Sequence, residues 1–121
     1  MTIKKVLVVD DSATERHFLG ELLGKQGLEV SFAEDGEAGI IKAKVEKPDL
    51  ILMDVVMPGK NGFQATRAIT SDPDTKHIPI IICTTKGQET DKIWGMRQGA
   101  KDYLVKPVNG VDLMSKIASL G

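Results

Sequence analysis

Residues 49–59 read Asp-Leu-Ile-Leu-Met-Asp-Val-Val-Met-Pro-Gly, an apolar run that delivers the carboxylate of Asp54 and then breaks at Pro58-Gly59. A stretch with so few polar groups has no side to present to water. It predicts a strand covered on both faces, as in the middle of a parallel sheet. A carboxylate at the end of such a strand lies on the rim where α/β proteins place their ligands.

The rest of the chain fits that demand. Val6-Leu7-Val8-Val9 is a short β-branched run ending at Asp10-Asp11. Ser12 and Glu15 follow at capping-box spacing. Phe18, Leu19, Leu22 and Leu23 recur at helical spacing, and Gly27 supplies a stop, so a helix is predicted over residues 13–26. Leu28–Ala33 is a second strand, nearer a sheet edge. Ala38, Ile41 and Val45 mark one face of a second helix, ended by Pro48. After the central strand, Asn61 and Gln64 have the spacing of a helix start. Ala65 and Ile69 continue that helix inward until Asp72-Pro73-Asp74 breaks it. Ile78–Thr84 is a fourth strand, with Pro79 tolerable near its start. A helix over residues 88–98 carries Ile93 and Trp94 and stops at Gly99. Tyr103-Leu104-Val105 forms a fifth strand ending in Lys106-Pro107. Asn109 caps a last helix through Val111, Met114, Ile117 and Leu120.

Five strand–helix units with short connections mean a doubly wound five-stranded parallel α/β sheet. With 121 residues and no linker or low-complexity tract, one domain over residues 1–121 is expected. Sixteen basic and seventeen acidic residues balance to a net charge of −1, which offers no bulk charge for nucleic acid or a membrane surface. No apolar run reaches the length of a membrane span, and no signal-peptide pattern precedes the first strand, so a cytoplasmic protein is expected. Cys83 is the lone cysteine, which excludes an intrachain disulfide and reads as a small buried hydrophobe. His17 and His77 read as surface residues.

Parallel strands share one C-terminal rim. There strand one delivers Asp10 and Asp11, strand three Asp54, strand four Thr84 and strand five Lys106. In the common doubly wound order 2-1-3-4-5, strands one and three are neighbours at the switch point, so three carboxylates converge. Taken singly these residues have plainer roles: an Asp pair caps helices, Thr84 suits a strand, and Tyr103 suits a half-buried position. Together they form a like-charge cluster that a cation would relieve. Oxygen ligands without His or Cys favour Mg²⁺ or a similar ion. Carboxylate, Mg²⁺, ammonium and hydroxyl suit phosphoryl transfer. In that chemistry Asp54 is the nucleophile, Asp10 and Asp11 hold the metal, and Thr84 and Lys106 bind phosphoryl oxygens.

With these residues in view, the chain resembles a response-regulator receiver domain of the CheY type over essentially its whole length. The resemblance is carried by Asp10-Asp11, Asp54 with Met57-Pro58-Gly59, Asn61-Gly62-Phe63, Thr84, Gly99-Ala100, and Tyr103 before Lys106-Pro107. A narrower similarity, to PilH-like regulators of type IV pilus twitching motility, lies in residues 57–67, Thr84-Thr85-Lys86, Trp94-Gly95 and Arg97-Gln98-Gly99-Ala100.

The resemblance implies the strand order and the phosphorylation of Asp54 by a sensor histidine kinase or its phosphotransfer domain. It implies Mg²⁺ on Asp11, Asp54 and the Val56 backbone carbonyl, with Asp10 acting through water. It also implies a Thr84–Tyr103 switch, a cis Lys106–Pro107 peptide, and a downstream protein partner on the face of helix 4, strand 5 and helix 5. Trp94 is a candidate anchor on that face. Such a domain assists its own phosphoryl transfer and dephosphorylation without being an enzyme for an external substrate. Because the sequence ends at Gly121, just after the last helix, a monomer acting alone by protein contact or as a phosphate sink is expected. Val56, Thr85 and Lys86 stand where many relatives carry other residues, and they leave phosphate lifetime open. The alternative is an aspartyl-phosphate phosphohydrolase, which would want an acid where Val56 stands.

Overall fold

A computed structural model describes residues 2–120; the expectations that lean on Met1 as a start and Gly121 as an end lie outside them. Ten elements alternate: β1 (Lys5–Val9), α1 (Ala13–Gly24), β2 (Glu29–Ala33), α2 (Gly36–Glu46), β3 (Leu50–Met53), α3 (Gly62–Ser71), β4 (Ile80–Thr84), α4 (Glu89–Arg97), β5 (Asp102–Val105) and α5 (Gly110–Leu120). Every strand pair is parallel, and the order is β2-β1-β3-β4-β5. The doubly wound sheet expected from the alternation is the architecture observed.

The period of two along each strand divides the core in two. Val6 and Val8 join Leu50, Leu52, Ile81 and Cys83 beneath Leu19 and Leu23 of α1 and Leu113 and Ile117 of α5. Leu7 and Val9 join Ile51, Met53 and Ile80 on the opposite face, under Ala43 of α2 and Ala65 and Ile69 of α3. All four residues of β3 are buried, as its composition demands. Edge strand β2 buries only Ala33. Each fully buried aliphatic side chain contributes about 1.5–3 kcal/mol, so this interior can offset the charged rim above it.

Helix α3 starts where expected, with a reciprocal capping box. Gln64 N donates to Asn61 Oδ1 at 2.9 Å, and Asn61 N donates to Gln64 Oε1 at 3.0 Å. Asn109 Oδ1 likewise accepts from Asp112 N at 3.1 Å at the start of α5. Gly99 follows α4 at φ +108°, a conformation that a side chain would strain.

Other expectations are corrected. Ile41 and Val45 do not face the core; they are 59% and 76% exposed. Helix α2 instead buries Gly36, Gly39 and Ala43. A Cβ on Gly39 would lie 2.9 Å from Val9, so this helix approaches β1 too closely for branched residues. Val111 and Phe18 are also exposed, and Leu113 takes the inward position of α5. Strand β4 begins at Ile80, not Ile78, because Ile78 N closes a turn onto Thr75 O. Helix α1 ends at Gly24, two residues early.

At the end of the sheet remote from Asp54, Asp49 joins the two central strands. Its Oδ2 accepts from Lys4 N and Lys5 N, each at 2.9 Å, while its own amide donates to Lys5 O. These backbone donors hold the Asp49 carboxyl below its ordinary 3.8. Asp49→Asn is therefore expected to lower stability by about 1 kcal/mol at neutral pH, the solvent-screened end of the range for charge-assisted hydrogen bonds. A depressed folded pKa stabilises above the unfolded value, so the gap between variant and wild type closes as pH falls through the folded pKa. Urea titrations at neutral and acid pH check both the size and the sign.

Candidate functional site

The switch point between β1 and β3 brings the acidic residues together. One carboxylate oxygen from each of Asp10, Asp11 and Asp54 lies within 4.8 Å of the others. Asp10 and Asp54 are 2% and 6% exposed, whereas Asp11 is exposed to solvent. The backbone fixes the two buried ones. Asp10 N donates to Ala33 O, and Asp54 N donates to Val9 O at 2.9 Å. Asp10 Oδ1 accepts from Ser12 N at 2.9 Å. Asp54 Oδ1 accepts from Val55 N at 2.7 Å, with Val56 N a longer 3.4 Å away.

Both second oxygens turn to one cation. Lys106 Nζ lies 2.7 Å from Asp10 Oδ2 and 3.3 Å from Asp54 Oδ2. Burial disfavours the ammonium, but the hydrogen bond to Asp10 and the charges of Asp54, Asp10 and Glu15 outweigh it. The Lys106 pKa is consequently raised above its ordinary 10.5. Lys106 N also donates to Thr84 O at 2.8 Å, and the Lys106–Pro107 peptide is cis as expected.

A glycine completes the floor. A Cβ on Gly62 would fall 1.9 Å from Asp54 O, so α3 can begin against the Asp54 peptide only with hydrogen at this position. Gly62 N then donates to Val55 O at 3.1 Å.

The remaining predicted residues are placed as follows. Thr84 is fully buried at the end of β4, and its Oγ1 accepts from Lys86 N at 3.4 Å. Among the described residues no hydrogen bond joins Thr84 to Asp54. Tyr103 is 9% exposed and packs with Val55, Ile82, Ala100 and Phe63. Its hydroxyl donates to Lys86 O at 2.6 Å, and burial pushes the phenol up to about 12, so it stays a donor at neutral pH. Val56 is half exposed beside Asp54. Trp94 is half exposed on α4 with Ile93 and Met96, away from the carboxylates. Burial pushes the Cys83 thiol up to about 12, which suits an inert core residue.

Two residues of α1 stand in places that the sequence analysis did not assign to them. Arg16 Nη1 donates to Asp10 O at 2.8 Å, and its Nη2 lies 3.6 Å from exposed Glu34. Glu15 does not close the expected capping box, because Asp10 already holds the Ser12 amide. The signal for Glu15 was its place four residues before Leu19 and eight before Leu23, which puts it on the buried stripe of α1.

The donor set suits a hard divalent cation. It offers three carboxylates and no His or Cys, and among the described residues no side-chain hydrogen bond or ion pair occupies Asp11. A family model described as the response regulator receiver domain matches residues 6–118. The chain belongs to the response regulator receiver domain family. This receiver domain is 57% identical to Protein PilH of Pseudomonas aeruginosa over 113 residues, covering 93% of each chain. It is 40% identical to Response regulator PleD of Caulobacter vibrioides, of which it spans 26%. The structure of chemotaxis protein CheY4 of Vibrio cholerae matches with a TM-score of 0.91 at 34% identity, over 99% of this chain and all of that one.

The electrostatic role of Lys106 can be isolated in this receiver domain. Lys106→Met strands two buried carboxylates without their cation, with an expected loss of about 2–4 kcal/mol at neutral pH. Added Mg²⁺ is expected to restore part of it, because an ion held by these carboxylates would bind the folded state only. Urea unfolding with and without Mg²⁺ tests this. Unchanged stability in the variant would mean that the ammonium is not what holds the acidic site together.

Proposed function

We propose that this receiver domain is a phosphoacceptor switch, modified on Asp54 in a Mg²⁺-dependent reaction with a sensor histidine kinase or its phosphotransfer domain. The observation that carries the proposal is the cradle at Asp54, a buried carboxylate oriented by the amide of Val55 and facing the Lys106 ammonium, with Asp10 and Asp11 alongside. In this reaction an Asp54 oxygen bonds to phosphorus as the donor's bond to the phosphoryl group breaks in line. Lys106 neutralises the incoming phosphoryl oxygens, and the Thr84 hydroxyl turns from Lys86 N to donate to them. Asp11, Asp54 and the Val56 carbonyl would hold Mg²⁺, with Asp10 acting through water, and the ion would supply further charge neutralisation.

Withdrawal of Thr84 from Lys86 N loosens the segment whose carbonyl Tyr103 holds. That couples Asp54 to α4, β5 and α5, where Ile93, Trp94 and Met96 are half exposed. We assign the downstream partner to this face, with Trp94 as an anchor. The likeness to PilH supports a place in control of type IV pilus twitching motility, by protein contact or as a phosphate sink. In this proposal the single receiver domain acts in the cytoplasm as a monomer, without nucleic acid or membrane insertion. No helix among the described residues is long and apolar enough to cross a membrane. The phosphohydrolase alternative is not favoured, since apolar Val56 stands where it would place its second acid.

Incubation with acetyl phosphate and Mg²⁺ is expected to give one phosphoryl adduct, read by intact-protein mass spectrometry. Chelation of Mg²⁺ or Asp54→Asn should abolish it. An adduct that survives Asp54→Asn, or none on native protein with any small donor, would sink the proposal.

A further inference from the structure

Glu15 carries a carboxylate that no structural role absorbs. The Ser12 hydroxyl accepts from Glu15 N at 3.2 Å, which sets the first turn of α1. The reciprocal bond is absent, because Ser12 N is taken by Asp10 Oδ1. Glu15 lies instead on the stripe that buries Leu19 and Leu23. Its Oε2 is shielded from solvent and has no hydrogen-bond partner among the described residues. That stripe packs on the face of β1 that carries Val6 and Val8, and Glu15, one turn before Leu19, stands at the end of it nearest Asp10 and Asp11. It nonetheless forms no ion pair with Lys106, which Asp10 and Asp54 already engage. The neighbouring Arg16 is directed to Asp10 O and Glu34.

A carboxylate oxygen shielded from water without a partner opposes folding, and an apolar residue would suit this stripe better. What it adds is negative charge at a site that must attract a divalent cation. Asp10, Asp11 and Asp54 could supply direct or water-mediated ligands, and Glu15 lies in the first turn of the helix that follows Asp10 and Asp11. We propose that Glu15 is an outer carboxylate of the cation site. It does not touch the ion; its field tightens divalent-cation binding, and the bound ion in turn offsets the unfavourable burial of its charge. This inference rests on the Mg²⁺-dependent reading of Asp54. Glu15 is a positioning residue, acting through the field at Asp11 and Asp54.

Two measurements on the full chain test it: Mg²⁺ affinity by titration calorimetry, and the metal-free melting temperature. Glu15→Gln keeps the shape and removes the charge; Glu15→Met also removes the buried polar atoms. Exposed Glu21→Gln, on the same helix and in no ion pair among the described residues, serves as a control for charge alone. Both Glu15 variants are expected to bind Mg²⁺ at least about threefold more weakly, the order expected for one nearby charge acting on a divalent ion in a screened site. Their metal-free melting temperatures should equal or exceed that of the wild type, with Met the higher. Glu21→Gln should change neither quantity. Unchanged Mg²⁺ affinity in Glu15→Gln overturns the inference, and so does a lowered metal-free melting temperature, which would assign Glu15 to structure. Should Glu15→Met not fold, Glu15→Gln alone decides. A wild type that takes up no Mg²⁺ overturns this inference and the Mg²⁺-dependent reading together, whereas uptake unaffected by Glu15→Gln overturns this one alone.

Discussion

The ammonium of Lys106 is shared by carboxylates from two other strands, and the rim of the sheet depends on it. Asp10 and Asp54 are brought side by side by the pairing of β1 with β3, and both lie out of water. Two such charges repel, and a cation between them converts the repulsion into attraction. Because Lys106 follows β5, the edge strand, the contact closes the rim from strand one to strand five. The order of the strands and the chemistry of the site are therefore one constraint. A sheet wound differently would leave the ammonium far from the acids it neutralises.

The fold was legible because its strands are unambiguous. Val6–Val9, Leu50–Met53 and Ile80–Thr84 are buried on both faces, and only parallel strands under two helical layers ask for that pattern. The rim acids and Lys106 were legible for the same reason, since each ends a strand. The face of α2 was not. Ile41 and Val45 follow helical spacing as faithfully as a core stripe would, yet Gly39 and Ala43 pack inward. Distance of approach decided the face there, and hydrophobicity did not. A sequence displays apolarity openly but shows the closeness of two elements only through small residues, which are also common for other reasons.

Glu15 was misread for a different physical reason. Capping-box spacing describes a competition for one amide, and a local motif does not show the rival. Asp10, two residues before Ser12, reaches that amide first. A side chain denied its local partner is left to the tertiary environment, and here helical phase turns it inward. A single hydrogen bond decides whether this side chain caps its helix or turns inward.

Asp49 ties the backbone ahead of β3 to that of β1 at the end of the sheet opposite Asp54, and Gly62 seats α3 directly on the Asp54 peptide. The central strands thus behave like a beam clamped at its base. A load applied at the free end has little give beneath it and spreads sideways. The compliant parts within reach are the rim loops, above all the Lys86 segment that Tyr103 latches with one hydroxyl.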